Sequence, residues 1–314
     1  MPTTLIRSLY NIQPQHAGGV ITIGNFDGVH LGHQHLIAKV VKKARELAVP
    51  SIVITFEPHP FEFFLGKDCQ IARITNLREK FYALAKCGVD LVVILPFNQL
   101  LARISASDFV DMIHLSMQPQ HLCIGDDFRF GNQRQGDFQL LQTMGRQRGF
   151  TVESIDTVLI DGERVSSTRV RTALAEGKLE MTRRLLGHAY CMLGCISGGD
   201  QLGRQLGFPT ANIALHRCRT PVMGIYTVYM HGMDKRPWPG VASVGTRPTI
   251  GGTRALLEVH LLNFHRDIYG LKVCVEFCQK LRDEICFPNL NLLKEQIVKD
   301  VAATREYFLK NGVI

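Results

Sequence analysis

The residues best suited to chemistry in this 314-residue chain are Gly24-Asn25-Phe26-Asp27-Gly28-Val29-His30-Leu31-Gly32-His33. They follow VITIG (20–24), which reads as a buried strand. They lead into Leu36, Ile37, Val40, Val41, Ala44, Leu47 and Ala48 at helical spacing. Two glycines let the backbone approach a ligand closely. The start of the helix offers unpaired N–H groups and the positive end of the helix dipole, which suits a phosphate. His30 and His33, three residues apart, put two imidazoles on one side of that helix start. Such donors beside free amides suit the charge that builds on a phosphate in a transition state. A lone histidine is ordinarily structural, but an HxGH pair directly after a strand and a glycine turn points to a nucleotide site. Two other nucleotide motifs are excluded. Gly66-Lys67 has Phe61 where a GxxxxGK[ST] loop needs glycine and Asp68 where it needs Ser or Thr, and no GxGxxG follows a strand.

The elements around this motif alternate. SIVITF (51–56), LVVIL (91–95), HLCIG (121–125) and residues 151–155 read as strands. Between them, Pro50 ends the first helix. Asn76 with Glu79 resembles a capping pair for a helix that stops before Gly88. Ser105 opens another helix, and residues 137–148 form a further one. Strands separated by helices imply right-handed crossovers and a parallel sheet, with ligands beyond the carboxyl ends of the strands. The pattern changes near Leu186. Segments 190–197, 224–231, 240–245, 255–263 and 271–279 are short, apolar or β-branched, and bounded by Gly, Pro and Asp/Asn turns. That is an antiparallel pattern, predicting a small barrel or sandwich. A last helix, 289–310, carries Leu292, Leu293, Ile297, Val301 and Phe308 as an apolar stripe. The domain boundary is expected at 184–190, giving domains 1–186 and 187–314.

Composition narrows the classes. Apolar residues are 46% and charged residues 20%, so the chain can bury cores and is not disordered. No run approaches the roughly 18–20 apolar residues of a membrane span. The N-terminal MPTTLIRSLYNIQPQH has no apolar signal core. A cytoplasmic protein is expected. Lys plus Arg is 36 against 28 Asp plus Glu, a net charge of +8 that attracts anions in general. With one Trp and no block of like charges, a nucleic-acid partner is not expected. The nine cysteines include no CxxC pair and read as reduced, mostly buried thiols.

The motif GNFDGVHLGH resembles the nucleotidyltransferase motif of bacterial bifunctional riboflavin kinase/FMN adenylyltransferases, also called FAD synthetases. The resemblance continues through Phe56-Glu57-Pro58-His59-Pro60, Gly125-Asp126-Asp127-Phe128-Arg129-Phe130-Gly131 and Val165-Ser166-Ser167-Thr168-Arg169-Val170-Arg171. It implies a Rossmann-like α/β domain with a parallel sheet that transfers AMP from ATP to FMN. In that reading His30 and His33 hold the ATP phosphates, and Gly24, Phe26 and Asp27 form the nucleotide-binding turn. Ser167, Thr168 and Arg171 form a second phosphate clamp with hydroxyl donors and a fixed positive fork. Asp127 resembles a position on the flavin- or nucleotide-contacting loop. Phe128 and Phe130 are candidates to stack on a flavin, and Phe56 and Pro58 to border the same pocket.

The second half resembles the riboflavin kinase signature in Gly203-Arg204 and Gly207-Phe208-Pro209-Thr210-Ala211-Asn212, with Gly198 and Gly199 before it. The resemblance implies an antiparallel β-barrel with a terminal helix that makes FMN from riboflavin and ATP. Gly203, Arg204, Thr210 and Asn212 then bind nucleotide, with Thr210 and Asn212 as oxygen ligands for Mg²⁺. Glu258, in Leu257-Glu258-Val259-His260-Leu261-Leu262-Asn263-Phe264, is the expected general base. Alternation puts Glu258 with His260 and Leu262 on one face. Residues 243–249 match a family loop, and Arg282, Glu284 and Phe287 match a segment that closes over the flavin. Departures stand at Asn263, where the family usually has Asp, and at the His265-Arg266 and His188-Ala189 turns. Loss of the carboxylate at 263 bears on the setting of Glu258. Expected ligands are therefore ATP, Mg²⁺, riboflavin, FMN and FAD, with no nucleic acid and no membrane. Oligomeric state is not legible in the sequence.

Overall fold

The computed structural model describes residues 2–66, 71–198, 203, 206–215, 217, 219–249 and 252–313, without the side chains of 247–254. They divide into two compact units. One is Met1–Ile71 with Leu77–Ser167. The other is Ala72–Asn76 with Thr168–Ile314. This division differs from the expected 186/187 boundary by the segment Ala72–Asn76 and by two helices, α7 (Ser167–Ala175) and α8 (Leu179–Leu186), of which all but Ser167 counts with the second unit.

The first unit is built on a six-stranded parallel sheet. Its strands are β1 (Thr4–Arg7), β2 (Val20–Ile23), β3 (Ser51–Glu57), β4 (Leu91–Pro96), β5 (His121–Gly125) and β6 (Thr151–Ile155), in the order β1-β4-β3-β2-β5-β6. All but β1 were legible as strands. β1 is four residues long with three exposed, so it shows little hydrophobic pattern, yet it pairs with β4. Helices α1 (Leu31–Leu47), α2 (Pro60–Leu65), α3 (Leu77–Lys86), α4 (Gln99–Arg103), α5 (Ala106–Met117) and α6 (Phe138–Arg148) connect the strands. Ser105 caps α5 by accepting from the Asp108 N–H at 3.0 Å, and Asp137 caps α6 by accepting from the Leu140 N–H at 3.0 Å. α1 ends on Ala48 in the left-handed region, two residues before Pro50.

Val20–Ile23 is buried throughout, as a central parallel strand covered on both faces should be. Val20, Val53, Val92 and Cys123 pack with Ile37, Val40 and Ala44 of α1. Ile21, Ile52, Val93 and Ile124 pack with Phe109, Ile113 and Leu141 of α5 and α6. From β2 the chain adds β3 and β4 on one side and then β5 and β6 on the other. The strand order therefore reverses at β2/β5, and the GNFDG turn leaves the carboxyl end of β2 at that switch point. A short hairpin, β7 (Leu159–Ile160) and β8 (Glu163–Arg164), follows the sheet.

The second unit is a closed antiparallel barrel. Its strands are β9 (Cys191–Ser197), β10 (Ala211–Ala214), β11 (Gly224–His231), β12 (Trp238–Thr249), β13 (Gly252–Leu261) and β14 (Lys272–Arg282), ordered β10-β13-β12-β11-β14-β9. β10 starts within the PTAN segment and runs on to Ala214, four residues with too little pattern to read as a strand. The stretch 243–249, which matches a family loop and overlaps the expected strand 240–245, is the end of β12. α9 (Leu290–Lys310) packs on the outside of β11. Its expected apolar stripe is only partly right, because Leu292 is exposed. The buried line is Asp300, Thr304 and Phe308, spaced by four. Thr304 meets the Thr227 hydroxyl at 3.3 Å, and Phe308 lies 4.8 Å from the Tyr229 ring. Among the described residues no helix is long and apolar enough to cross a membrane.

Candidate functional sites

In the first unit the turn after β2 is held by an unusual backbone. Phe26 has φ 47°, Gly28 φ 82° and Val29 φ 42°. A positive φ is ordinary for glycine, costly for Phe and more so for β-branched Val. The surroundings fix it. Phe26 is 1% exposed in the core, Ser167 donates its hydroxyl to the Asp27 carbonyl at 2.9 Å, and Thr55 donates to the Asn25 carbonyl at 3.2 Å.

This turn delivers His30 to the N-cap of α1, where its Nδ1 accepts from the His33 N–H at 3.4 Å. In the neutral ring that leaves the proton on Nε2, as a donor. The two imidazoles stack, with centroids 3.7 Å apart and planes 17° apart, and the Phe26 ring meets His33 edge-on at 5.1 Å. His33 keeps some surface, but its Nδ1 is buried with no hydrogen-bond partner among the described residues. Burial, then His30, Lys80 and Arg164, hold the His33 pKa well below the ordinary imidazole value, so the ring is neutral at pH 7. The free N–H groups of the helix start beside this neutral ring suit an anionic ligand.

Lys80 was not singled out from the sequence. It is 1% exposed and donates from Nζ to the Thr55 hydroxyl at 3.3 Å, so it supports the Asn25 carbonyl through Thr55. The signal for it was present. Lys80 stands four residues before the core residue Leu84 on α3, a position where a solvated lysine does not belong.

The other expected residues of this unit fall at the carboxyl ends of the strands. Phe56, next to last in β3, is half-buried with its ring 5.8 Å from Phe97, and Pro58 is exposed just beyond the strand. Beyond β5, Arg164 bridges Asp126 and Asp127, each at 2.8 Å. Burial pushes the Asp126 pKa up, but its bonds to Thr157 and Arg164 outweigh that and bring it below the usual carboxylate value. Phe128 is half-buried and stacks on Phe130 at 5.4 Å. Phe130 is itself core, against Phe109.

Thr168 and Arg171 stand on α7, in the second unit. There Arg171 donates from Nε to the Ala72 carbonyl at 3.0 Å. Arg204 lies outside the described residues. Gly203 accepts from the Phe208 N–H at 2.7 Å and lies so close that a Cβ there would run into the Phe208 carbonyl oxygen and meet the Thr210 hydroxyl at 3.4 Å. The position admits only glycine without a shift.

The barrel register sets the rest. Asn212 pairs with Glu258, and Glu258 pairs with Ser243, so the three side chains share one face. Glu258 is half-buried between the core residues Leu257 and Val259. His260, two residues on, donates from Nδ1 to the Pro209 carbonyl at 2.9 Å and meets Phe208 edge-on at 5.4 Å.

Arg282 is engaged within the fold. Its Nε reaches Asp300 at 3.0 and 3.2 Å and its Nη2 at 2.7 Å, while its Cζ sits 5.9 Å from the Phe287 ring centroid. Glu284 lies against Gly245, where a Cβ would strike its carboxylate.

The departures from the family pattern have local explanations. Asn263, at φ 54°, accepts from Arg305 on α9 at 2.9 Å, so the described contact of its side chain is with the helix rather than with Glu258. Arg266 pairs with Asp234 and sits over the Trp238 and Phe264 rings at 5.6 and 5.0 Å, which fixes the turn that lacks glycine.

Comparison with known proteins agrees with this two-part organisation. Residues 12–169 match the family model described as FAD synthetase, and residues 186–308 match the one described as riboflavin kinase. The bifunctional riboflavin kinase/FMN adenylyltransferase of Pseudomonas fluorescens is 49% identical over 303 residues, 96% of each chain. The protein of the same description from Escherichia coli K12 is 45% identical over 306 residues, 97% of each chain. A solved structure from Streptococcus pneumoniae, described as a macrolide-efflux protein, is 29% identical with a TM-score of 0.81. It covers 97% of this chain and 99% of its own.

Proposed function

The chain belongs to the bifunctional riboflavin kinase/FMN adenylyltransferase family, and from that premise we propose which of its residues carry each reaction. It phosphorylates riboflavin to FMN with ATP, and transfers AMP from ATP to FMN to give FAD and pyrophosphate. The matched segments assign adenylyl transfer to the N-terminal part and phosphorylation to the C-terminal part. We assign the first activity to residues 1–186 and the second to 187–314.

In adenylyl transfer the attacking group is the FMN phosphate, already anionic, so no strong base is needed. Catalysis rests on positioning and on charge stabilisation at the α-phosphate. His30, with its proton on Nε2, and His33 donate to phosphate oxygens at the N-terminus of α1. Gly24, Phe26 and Asp27 shape the turn. By the order of the family motifs, Ser167, Thr168 and Arg171 bind phosphate, and Phe56, Pro58, Asp127, Phe128 and Phe130 belong to the flavin side.

In phosphorylation Glu258 accepts the proton of the ribityl hydroxyl as that oxygen attacks the γ-phosphate. The donor set around it fits Mg²⁺. Thr210 and Asn212 offer hard neutral oxygens, and Asn212 faces the Glu258 carboxylate across one ladder step. Thr210 and Asn212 would hold the ion, which supplies charge neutralisation on the β- and γ-phosphates when bound. Gly203 and Arg204 lie on the nucleotide side, and Arg282, Glu284 and Phe287 on the flavin side. The net charge of +8 suits ATP, FMN and FAD as anionic ligands, with neither nucleic acid nor membrane as partner and with a cytoplasmic location.

The observation that carries this reading is the Asn212–Glu258 pairing, which gathers a base and a metal-ligand candidate in a unit other than that of the stacked histidines. Chromatography of flavin products over time tests it. Wild-type protein with riboflavin, ATP and Mg²⁺ accumulates FMN and then FAD. Glu258→Gln loses FMN formation by about 10²- to 10⁴-fold, the range for a general base, yet still makes FAD from supplied FMN. His30→Ala stops at FMN. Normal riboflavin phosphorylation by Glu258→Gln would remove Glu258 from the role of base.

A further inference from the structure

A second group of donor atoms lies in the first unit on the α1-covered face of the sheet. His121 and Cys123 alternate onto the same face of β5, and Cys123 is the register partner of Glu153 on β6. One ligand atom from each, an imidazole nitrogen, the Sγ and a carboxylate oxygen, lies within 4.8 Å of the other two. His121 is 6% exposed and Cys123 0%, while Glu153 is open to solvent.

The imidazole is oriented from behind. The Thr151 hydroxyl lies 2.6 Å from His121 Nδ1 and 3.4 Å from the Gln120 carbonyl, and when its proton is on that carbonyl its oxygen accepts the Nδ1–H. In the neutral ring this leaves the lone pair on Nε2. Nε2 is buried without a hydrogen-bond partner among the described residues, and 3.4 Å away it faces the Glu153 carboxylate, which is also an acceptor. With the imidazole in that tautomer, two acceptors converge on a thiol whose weak S–H is the one donor among the three groups. A cation resolves that arrangement, and a ligating histidine held through its other nitrogen is the usual outer-shell pattern of a metal site.

We propose that His121, Cys123 and Glu153 bind a borderline divalent metal ion of the zinc type, tying β5 to β6 in a site separate from both flavin reactions. Sulfur, imidazole and carboxylate together suit Zn²⁺ and disfavour Mg²⁺, which takes oxygen donors. Solvent on the Glu153 side supplies the fourth position. On binding, the Cys123 thiol gives its proton to solvent and becomes the thiolate ligand. Thiolate and carboxylate then balance the two charges of the ion, which matters because Lys39 and Lys43 of α1 act on the site with positive charge.

Titrating metal-free protein with Co²⁺ tests the proposal. One equivalent is expected to raise a near-ultraviolet thiolate-to-cobalt charge-transfer band that Zn²⁺ then bleaches, and Cys123→Ser is expected to lose the band. Thr151→Val, at an exposed position, should weaken cobalt affinity by about 10- to 100-fold, as loss of an outer-shell partner does. Glu153→Gln, also on the surface, should weaken binding while leaving riboflavin phosphorylation and FMN adenylylation unchanged, and it serves if Cys123→Ser does not fold. Absence of the band, or its survival at full size in Cys123→Ser, overturns the proposal. So does a His121 ring that carries protons on both nitrogens in protein that takes up no Co²⁺, because the cluster is then an ordinary His–Glu ion pair.

Discussion

The Nδ1–H of His260 is donated to the carbonyl of Pro209 at 2.9 Å, which ties β13, the strand of Glu258, to the segment that carries Thr210 and Asn212. Burial, reinforced by Arg305 and opposed by the Pro209 bond, keeps the His260 pKa below its ordinary value, so the ring acts as a neutral donor. His260 is a positioning residue in this arrangement. His260→Leu is expected to lower kcat/KM for riboflavin phosphorylation by up to about 100-fold, the scale of a small misplacement at a reacting centre. FAD formation from supplied FMN should be unchanged. His260→Asn, whose amide N–H reproduces the Nδ1 donor, should recover most of the loss. Equal effects of Leu and Asn would show that packing against Phe208, rather than the hydrogen bond, is what matters.

Arg282 and Asp300 form an enclosed ion pair of the barrel unit, with side chains 20% and 8% exposed. Removing one partner of such a pair strands the other charge and costs about 3–5 kcal/mol. Asp300→Ala should therefore lower the thermal midpoint of the C-terminal unit, as read by calorimetry. The double variant Arg282→Met with Asp300→Leu should return close to wild-type stability. If Asp300→Ala leaves stability unchanged and raises only the KM for riboflavin, Arg282 serves the ligand and not the fold.

His33 should make the protein acid-sensitive. Its folded-state pKa lies below its unfolded value, so at pH values beneath the unfolded pKa of roughly 6.5 the unfolded chain binds a proton that the native state refuses. The contribution of His33 to stability is full above about pH 6.5 and declines as pH falls below it. Denaturant melts from pH 7.5 to 5 should show that decline, and His33→Gln should flatten it. An unchanged slope in His33→Gln would assign the acid sensitivity elsewhere, for example to His260, whose pKa is displaced in the same direction.

Much of the fold was legible because it rests on local signals. The buried strands 20–23, 51–57 and 91–96, the cap Ser105, and the glycine turn into α1 are each written in a few adjacent residues. The HxGH pair was visible for the same reason, since both imidazoles belong to one helix start. Residue types and spacing alone led to a nucleotide site, and the run of four motifs led to the flavin enzymes, which the comparisons bear out.

The tertiary structure decided what depends on distant partners. β1 is a strand because β4 offers it an edge, and β10 is a strand because β9 and β13 flank it. Neither carries enough pattern of its own. α9 buries Asp300 and Thr304 ahead of Leu292, because a helix lying on a barrel seats whatever complements that wall, here Arg282 and Thr227. Lys80 beneath the GNFDG turn, His260 behind Pro209, and His121 beside Cys123 and Glu153 are all contacts between segments remote in the chain. The sequence by itself determined which chemistries the chain carries, because motif spacing records local backbone geometry. Only the folded structure decided the neutral state of His33, the structural partner of Arg282 and the face that Asn212 shares with Glu258, because burial, charge proximity and strand register come from residues far apart in sequence.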